Sequence, residues 1–149
     1  MASAWEQLQE LVIDEMRENY SEIAIDHAMN PRNVGSMDNA VGFARLTGPC
    51  GDTMEIWLKV RDATITESTF MTDGCGTTIA AGSMVTELAK GKTAIQAQKI
   101  SQQDVLSALG GLPEESQHCA LLAANTLREA IKDYLAFKNE PWKRAYRRQ

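Results

Sequence analysis

Between residues 41 and 72 the chain passes three times through strand-forming sequence with only short breaks between the passes. Strands joined that closely must pair antiparallel, because a parallel neighbour needs a crossover of a dozen residues or more. Residues 53–61 alternate strictly. Met54, Ile56, Leu58 and Val60 fall on one side, and Glu55, Trp57, Lys59 and Arg61 on the other, the pattern of a strand with one buried face. Residues 41–47 read as the strand before it, and Asp62-Ala63 as a tight turn after it. Residues 64–72 are rich in Thr but alternate poorly, which predicts a strand carrying a bulge.

The flanking sequence is helical. Residues 4–28 predict one long or broken helix, with Leu8, Leu11, Val12, Met16, Ile23 and Ile25 in a partial 3.6-residue period and an acidic outer face. Tyr20-Ser21-Glu22 is the expected break, with Ser21 as the cap of the second part, and Asn30-Pro31 stops it. From Thr77 the pattern turns helical again. Ile79, Met84, Val85 and Leu88 are expected to face inward, and Gly91 stands where a terminating glycine belongs. Short helices follow at 93–98 and from Ser101 to Gly110-Gly111. Leu112-Pro113-Glu114-Glu115 reads as a rigid linker, and Ser116 as the cap of a long helix to about Lys138. The fold class is therefore α+β: a three-stranded antiparallel sheet packed against several helices, with an extra N-terminal helix.

At 149 residues the chain fits one domain. Its formal charge of −5 argues against nucleic acid as a partner. No apolar run approaches the ~20 residues that span a bilayer, so no membrane partner is expected, and residues 1–19 show no secretory pattern. The basic stretch Trp142-Lys143-Arg144-Ala145-Tyr146-Arg147-Arg148 reads as a solvated tail.

The meander fixes where three points must lie. The first strand ends near Pro49, the second begins near Thr53 and the third ends near Thr72, all at one end of an up-down-up sheet. That places Cys50, in Gly48-Pro49-Cys50-Gly51-Asp52, beside Cys75, in Gly74-Cys75-Gly76. Cys119, preceded by His118, joins them if the long helix packs with its N-terminus at that end. Three cysteines alone would suit buried hydrophobes. The flanking glycines and the adjacent Asp52 and His118 favour a metal site instead. An odd count in a domain large enough to need no disulfide predicts reduced thiols in a cytoplasmic compartment. Cys119, in the first turn of its helix, should have its thiolate favoured by the helix dipole. Asp52 taken alone would be a turn carboxylate, and His118 a surface histidine. His27 has no such company and reads as structural or exposed. No Cys-x-x-Cys redox motif is present. Adjacent helical residues point about 100° apart, so His118 is poorly placed to activate Cys119, and no catalytic residues are assigned.

Tyr20-Ser21-Glu22, Asp26-His27, Asn30-Pro31-Arg32-Asn33-Val34-Gly35, Cys50-Gly51-Asp52, Gly74-Cys75-Gly76 and His118-Cys119 together resemble the U-type iron–sulfur cluster assembly scaffolds, the family of IscU and the N-terminal domain of NifU. The likeness runs over about 20–138. It makes 1–19 an N-terminal helical extension and 139–149 a basic tail on a single domain. The resemblance implies a non-enzymatic scaffold. It would take sulfur from a cysteine desulfurase, assemble a [2Fe-2S] cluster from that sulfur and iron, and pass it to recipient apo-proteins. It implies Cys50, Cys75 and Cys119 as cluster ligands, Asp52 as the residue tuning lability and His118 as an additional ligand. Cys119 is the persulfide acceptor candidate, on the dipole argument and on the resemblance. The SufU branch lacks a histidine before its third cysteine, so the likeness is to the other branch.

Members served by a dedicated Hsp70-type chaperone carry Leu-Pro-Pro-Val-Lys before the His-Cys pair. Here the stretch is Leu112-Pro113-Glu114-Glu115-Ser116, which argues against that partner and removes a lysine as a further ligand. A homodimer is one arrangement the sequence allows. The alternative reading is a zinc-binding regulatory or structural protein. Three thiolates with Asp52 or His118 suit tetrahedral zinc equally well, and zinc could also fill the resting form.

Overall fold

A computed structural model describes residues 3–139, apart from the side chains of Ile13 and Met16. The expectations for Met16 and for the basic tail beyond Asn139 lie outside the described residues. The element order is α1 (Ala4–Asn19), α2 (Glu22–Met29), β1 (Gly42–Thr47), β2 (Thr53–Arg61), β3 (Thr64–Thr72), α3 (Gly76–Ala89), α4 (Ala94–Gln98), α5 (Gln102–Ala108), a 3-10 turn (Glu114–Ser116) and α6 (Gln117–Asn139).

The three strands form one antiparallel sheet in the order β1-β2-β3. The turn between β2 and β3 has both Asp62 and Ala63 at positive φ, the backbone that suits a two-residue hairpin. The bulge falls early in β3. Val60 pairs with Ile65 but Lys59 pairs with Glu67, which leaves Thr66 as the extra residue. That insertion explains the poor alternation. Ile65 and Phe70 are five residues apart, yet both are buried, because the bulge changes the phase between them.

The sheet's inner face, with Met54, Ile56, Leu58, Ile65 and Phe70, is covered by α3 and α6. Helix α3 lies at the centre, so it is buried almost all round from Ala80 to Thr86. Small residues take its tightest contacts: a Cβ on Gly82 would stand 2.5 Å from the Phe70 ring. Met84 and Val85 are buried as expected, whereas Ile79 and Leu88 are only half-buried. Helix α6 lies against β1, and a Cβ on Gly42 would meet the Ala130 carbonyl oxygen at 2.6 Å. Its stripe of Leu122, Leu127, Ala130 and Ile131 is buried. Thr93 with Gln96, and Ser101 with Asp104, form capping boxes at α4 and α5.

Three local expectations change. Leu8, Leu11 and Val12 are exposed rather than core residues, because α1 stands off the body and Leu11 keeps 63% of its surface. Ile23 on α2 is exposed too, while Ile25 is buried. The cap of α6 is not Ser116. Its N–H donates to the Pro113 carbonyl at 2.8 Å, and the 3-10 turn runs straight into the helix. The break at Ser21 is as expected: its Oγ accepts from the Ala24 N–H at 3.0 Å and donates to the Leu109 carbonyl. No described helix is long and apolar enough to cross a membrane.

The motif running from Asn30 to Gly35 does more than stop α2. Arg32 Nη2 pairs with Asp26 Oδ2 at 2.6 Å, and the Arg32 N–H donates to Ser83 Oγ at 2.9 Å. Asn33, at positive φ, donates to Thr86 Oγ1 and Glu87 Oε1. The Phe70 N–H donates to the Asn33 carbonyl, and the Gly35 N–H to the Phe70 carbonyl, both at 2.9 Å. The segment thus ties α2, α3 and β3 together. His27 belongs to the same latch. It is buried, with Nδ1 2.7 Å from Ser83 Oγ, and burial pushes its pKa down. Its role is structural.

Candidate functional site

The register of the sheet brings the expected points together. Thr47 pairs with Thr53, and Met54 with Thr72, so the β1–β2 loop and the residues after β3 share one end. The loop is closed by Gly48 N–H to the Asp52 carbonyl at 2.8 Å and by Gly51 N–H to the Gly48 carbonyl at 3.0 Å. Gly51 has φ +90 with open space around it, so its glycine serves the turn. Asp73 takes the turn-capping role considered for Asp52, its Oδ1 accepting the Thr53 N–H at 2.8 Å. The Asp52 side chain is left to face inward.

The step that topology alone did not establish is the direction of α6. A Cβ on Gly48 would meet Leu122 Cδ2 at 3.4 Å, so the start of α6 lies beside the β1–β2 loop. Cys119 therefore joins the other two thiols, with Cys75, Cys50 and Asp52 all near enough for their charges to act on it.

Cys75 is the N-cap of α3, one residue before its start at Gly76 rather than at Thr77 as expected. It is exposed, and it makes no close cap bond. The backbone N–H groups of Thr78, foremost, and of Thr77 face the sulfur and pull its pKa below the ordinary thiol value, against partial burial. On one side it borders an apolar hollow of about 340 Å³ lined by Tyr20, Ala24, Ala28, Ala80 and Leu112.

Cys119 behaves in the opposite way. It is the third residue of α6 but only 3% exposed. Burial pushes its pKa up, the Thr78 hydroxyl opposes this, and the neighbouring Cys75, Cys50 and Asp52 add to it. The expected dipole activation of Cys119 is thus overturned. The 3-10 turn sets it back from the open helix end, and Glu114 and Glu115 occupy that end. His118 comes closer than the divergence of neighbouring helical positions suggested. Its Nε2 lies 3.7 Å from Cys119 Sγ, because the ring is long enough to reach back.

One residue that sequence reasoning missed stands among them. Thr78 is fully buried. Its Oγ1 donates to Asp52 Oδ2 at 2.9 Å, lies 3.3 Å from Cys119 Sγ and 3.8 Å from Cys75 Sγ. The available signal was its spacing, three residues beyond Cys75 on a helix that starts between them. Gly74 makes room for this contact. A Cβ there would stand 2.6 Å from Thr78 Cβ, 2.7 Å from Thr78 Oγ1 and 2.8 Å from Asp52 Oδ2. Gly76 meets only Ala28, at an ordinary 3.8 Å.

Cys50 stays exposed on its loop. Among the described residues no three of His, Cys, Asp and Glu are placed closely enough to hold an ion as they stand. What the site offers is a set of donors gathered at one end: three thiols, a carboxylate and an imidazole. Thiols suit iron–sulfur clusters or zinc, and one carboxylate or imidazole can complete either.

Residues 19–141 match the family model described as the NifU-like N terminal domain. The iron-sulfur cluster assembly scaffold protein IscU 1 of Archaeoglobus fulgidus is 50% identical over 116 residues, covering 77% of this chain and 76% of that protein. The scaffold protein IscU of Escherichia coli K12 is 47% identical over 120 residues, covering 77% and 93%. Among solved structures, the N-terminal part of a NifU-like protein from Brucella abortus superposes with a TM-score of 0.63 over 83% of this chain and 97% of that one. At 20% identity that likeness speaks to the fold alone. Nearly all of α1 lies outside the matched range.

Proposed function

The chain belongs to the NifU-like N-terminal domain family of iron–sulfur assembly scaffolds, and on that premise we propose that it builds a [2Fe-2S] cluster on Cys50, Cys75 and Cys119 and hands it to apo-proteins. The single observation that carries this reading is the gathering of three thiols with Asp52 and His118 at one end of the meander. The cluster is cargo. It needs ligands that bind iron firmly and a place where it lets go.

Sulfur arrives from a cysteine desulfurase. The Cys119 thiolate attacks the sulfane sulfur of the donor's persulfide, a new S–S bond forms on Cys119, and the donor cysteine leaves as thiolate. Converting each delivered sulfur to bridging sulfide takes two electrons from an external reductant. Iron bound by the thiolates then closes the cluster. In this reading Cys50, exposed on the β1–β2 loop, comes in toward the buried Cys119 as this happens. Three thiolates leave one position to a non-thiolate ligand. A fourth thiolate would give the firm Cys₄ arrangement of electron carriers. Asp52 is a harder ligand, weaker for cluster iron, and we assign it the labilising role. His118 is the candidate for completing coordination.

The test is anaerobic reconstitution with iron and sulfide, read by visible absorption and Mössbauer spectra. The expected result is a [2Fe-2S] spectrum that is lost when any one of Cys50, Cys75 or Cys119 becomes Ala. Asp52→Ala should hold the cluster longer under a chelator and slow its transfer to an apo-ferredoxin. His118→Ala should change the spectrum or the yield. A protein that stays colourless with iron and sulfide but retains one tightly bound zinc would replace the scaffold reading with the zinc one.

A further inference from the structure

We propose that Thr78 is a positioning residue of this site, its hydroxyl aiming the Asp52 carboxylate inward and so setting how readily the cluster leaves. The proposal rests on the scaffold reading above.

Compare the three buried threonines on helices. Thr86 Oγ1 donates to the Gly82 carbonyl at 2.8 Å, and Thr126 Oγ1 to the Leu122 carbonyl at 2.7 Å. Both spend their proton on their own helix, one turn back, as a buried helical hydroxyl ordinarily does. Thr78 does not. It lies in the first turn of α3, where the residue four back is Gly74, outside the helix. Its proton goes across to Asp52 on the β1–β2 loop. A hydroxyl has one proton, and a carboxylate can only accept. The sulfur of Cys119 lies 3.3 Å from the same hydroxyl oxygen. One side chain of α3 therefore lines up a group from the loop and a group from α6.

The surroundings are shaped for this contact. Gly74 leaves the space that a Cβ would take from both Thr78 and Asp52. Asp52 itself is half-exposed on a turn, so water could satisfy its carboxylate equally well. The hydroxyl decides that it points in rather than out. A fully buried threonine with no such task would be better replaced by valine, which has the same shape and no polar group to satisfy.

The experiment compares wild type, Thr78→Val, Thr78→Ser, Asp52→Ala and the Thr78→Val/Asp52→Ala pair, each loaded anaerobically with iron and sulfide. Two quantities are read: cluster lifetime under a chelator, and the visible circular dichroism of the bound cluster. Thr78→Val should shift the lifetime in the same direction as Asp52→Ala, lengthening it roughly threefold to tenfold, the scale of one side-chain hydrogen bond. Thr78→Ser, which keeps the hydroxyl, should restore the wild-type lifetime and spectrum. The pair should live no longer than Asp52→Ala alone, because both changes remove the same interaction.

Wild-type behaviour in Thr78→Val overturns the proposal, as do additive effects in the pair. A serine variant as altered as the valine one would assign the effect to packing of the methyl group and overturn it too. If Thr78→Val does not fold, Thr78→Ala removes the same hydroxyl and carries the same comparison. A wild type that assembles no cluster overturns the scaffold reading and this proposal together. A wild type that loads, with an unaltered Thr78→Val, overturns this proposal alone.

Discussion

Cys75 and Cys119 both stand at the N-terminal end of a helix, and their thiols are pushed in opposite directions. Cys75 is the cap itself, exposed between two glycines, with open N–H groups facing its sulfur. Cys119 sits behind a 3-10 turn with its sulfur sealed against Thr78. The magnitudes explain the outcome. A helix end is worth about 0.3–1 kcal/mol to a nearby charge. Burial of an ionisable group can shift its pKa by as much as about 3–5 units, each unit worth ~1.4 kcal/mol. The dipole therefore decides only where water still reaches the sulfur. A helix N-terminus by itself does not mark an activated thiol.

The most direct way to break this comparison is alkylation. In metal-free protein near neutral pH, iodoacetamide should modify Cys75 many times faster than Cys119, since Cys75 is exposed with its thiol pKa pulled down by the facing N–H groups, while Cys119 is buried with its thiol pKa pushed up. Peptide mass spectrometry over time measures this. Equal rates would mean that Cys119 opens readily and that its burial is not a barrier. Sulfur from a cysteine desulfurase should go the other way, appearing first on Cys119, because a docked donor can open a site that a free reagent cannot. Early sulfur mainly on Cys75 would move the acceptor role to the exposed thiol.

A second test separates the two glycine settings. Gly74→Ala forces a Cβ against Thr78 and Asp52. It should cost about 1–3 kcal/mol in a urea titration, as overpacking does, and should speed alkylation of Cys119 by loosening its cover. Gly51→Ala meets no neighbour but keeps a positive φ, so it should cost only about 1 kcal/mol and leave Cys119 unchanged. Equal costs would show that Gly74 is not clamped.

The smallest effect is in the pH dependence of stability. Burial holds the Cys119 thiol protonated, so its folded pKa lies above its unfolded one. The stability this contributes is fully present below the unfolded thiol pKa of about 8.5. It is lost as pH rises through the folded value. The urea midpoint should therefore fall on the alkaline side in wild type and fall less in Cys119→Ala. An identical alkaline fall in both would remove Cys119 as its source.

Much of this site was legible before any coordinates. The strict alternation of residues 53–61 and the short links on either side allowed only a meander, and a meander has only one place for Cys50 and Cys75. The poor alternation of residues 64–72 announced the bulge that the structure puts at Thr66. Other readings failed for physical reasons. The apolar residues of α1 follow a helical period, but a period says that a face exists, not that anything covers it. The Asn30-Pro31-Arg32-Asn33 run was readable as a helix stop. Its work as a latch depends on Ser83, Thr86 and Phe70, which lie 37 or more residues away in sequence.

Sequence alone determined the strand order, the end of the sheet where Cys50 and Cys75 meet, and the residue types gathered there. These follow from local pattern and chain connectivity, which sequence records directly. Only the tertiary structure decided that α6 brings Cys119 to that end, that Cys119 is buried while Cys75 is open, and that Thr78 joins Asp52 to Cys119. Desolvation and side-chain hydrogen bonds depend on what packs against a group from other elements, and no local stretch of sequence contains that neighbour.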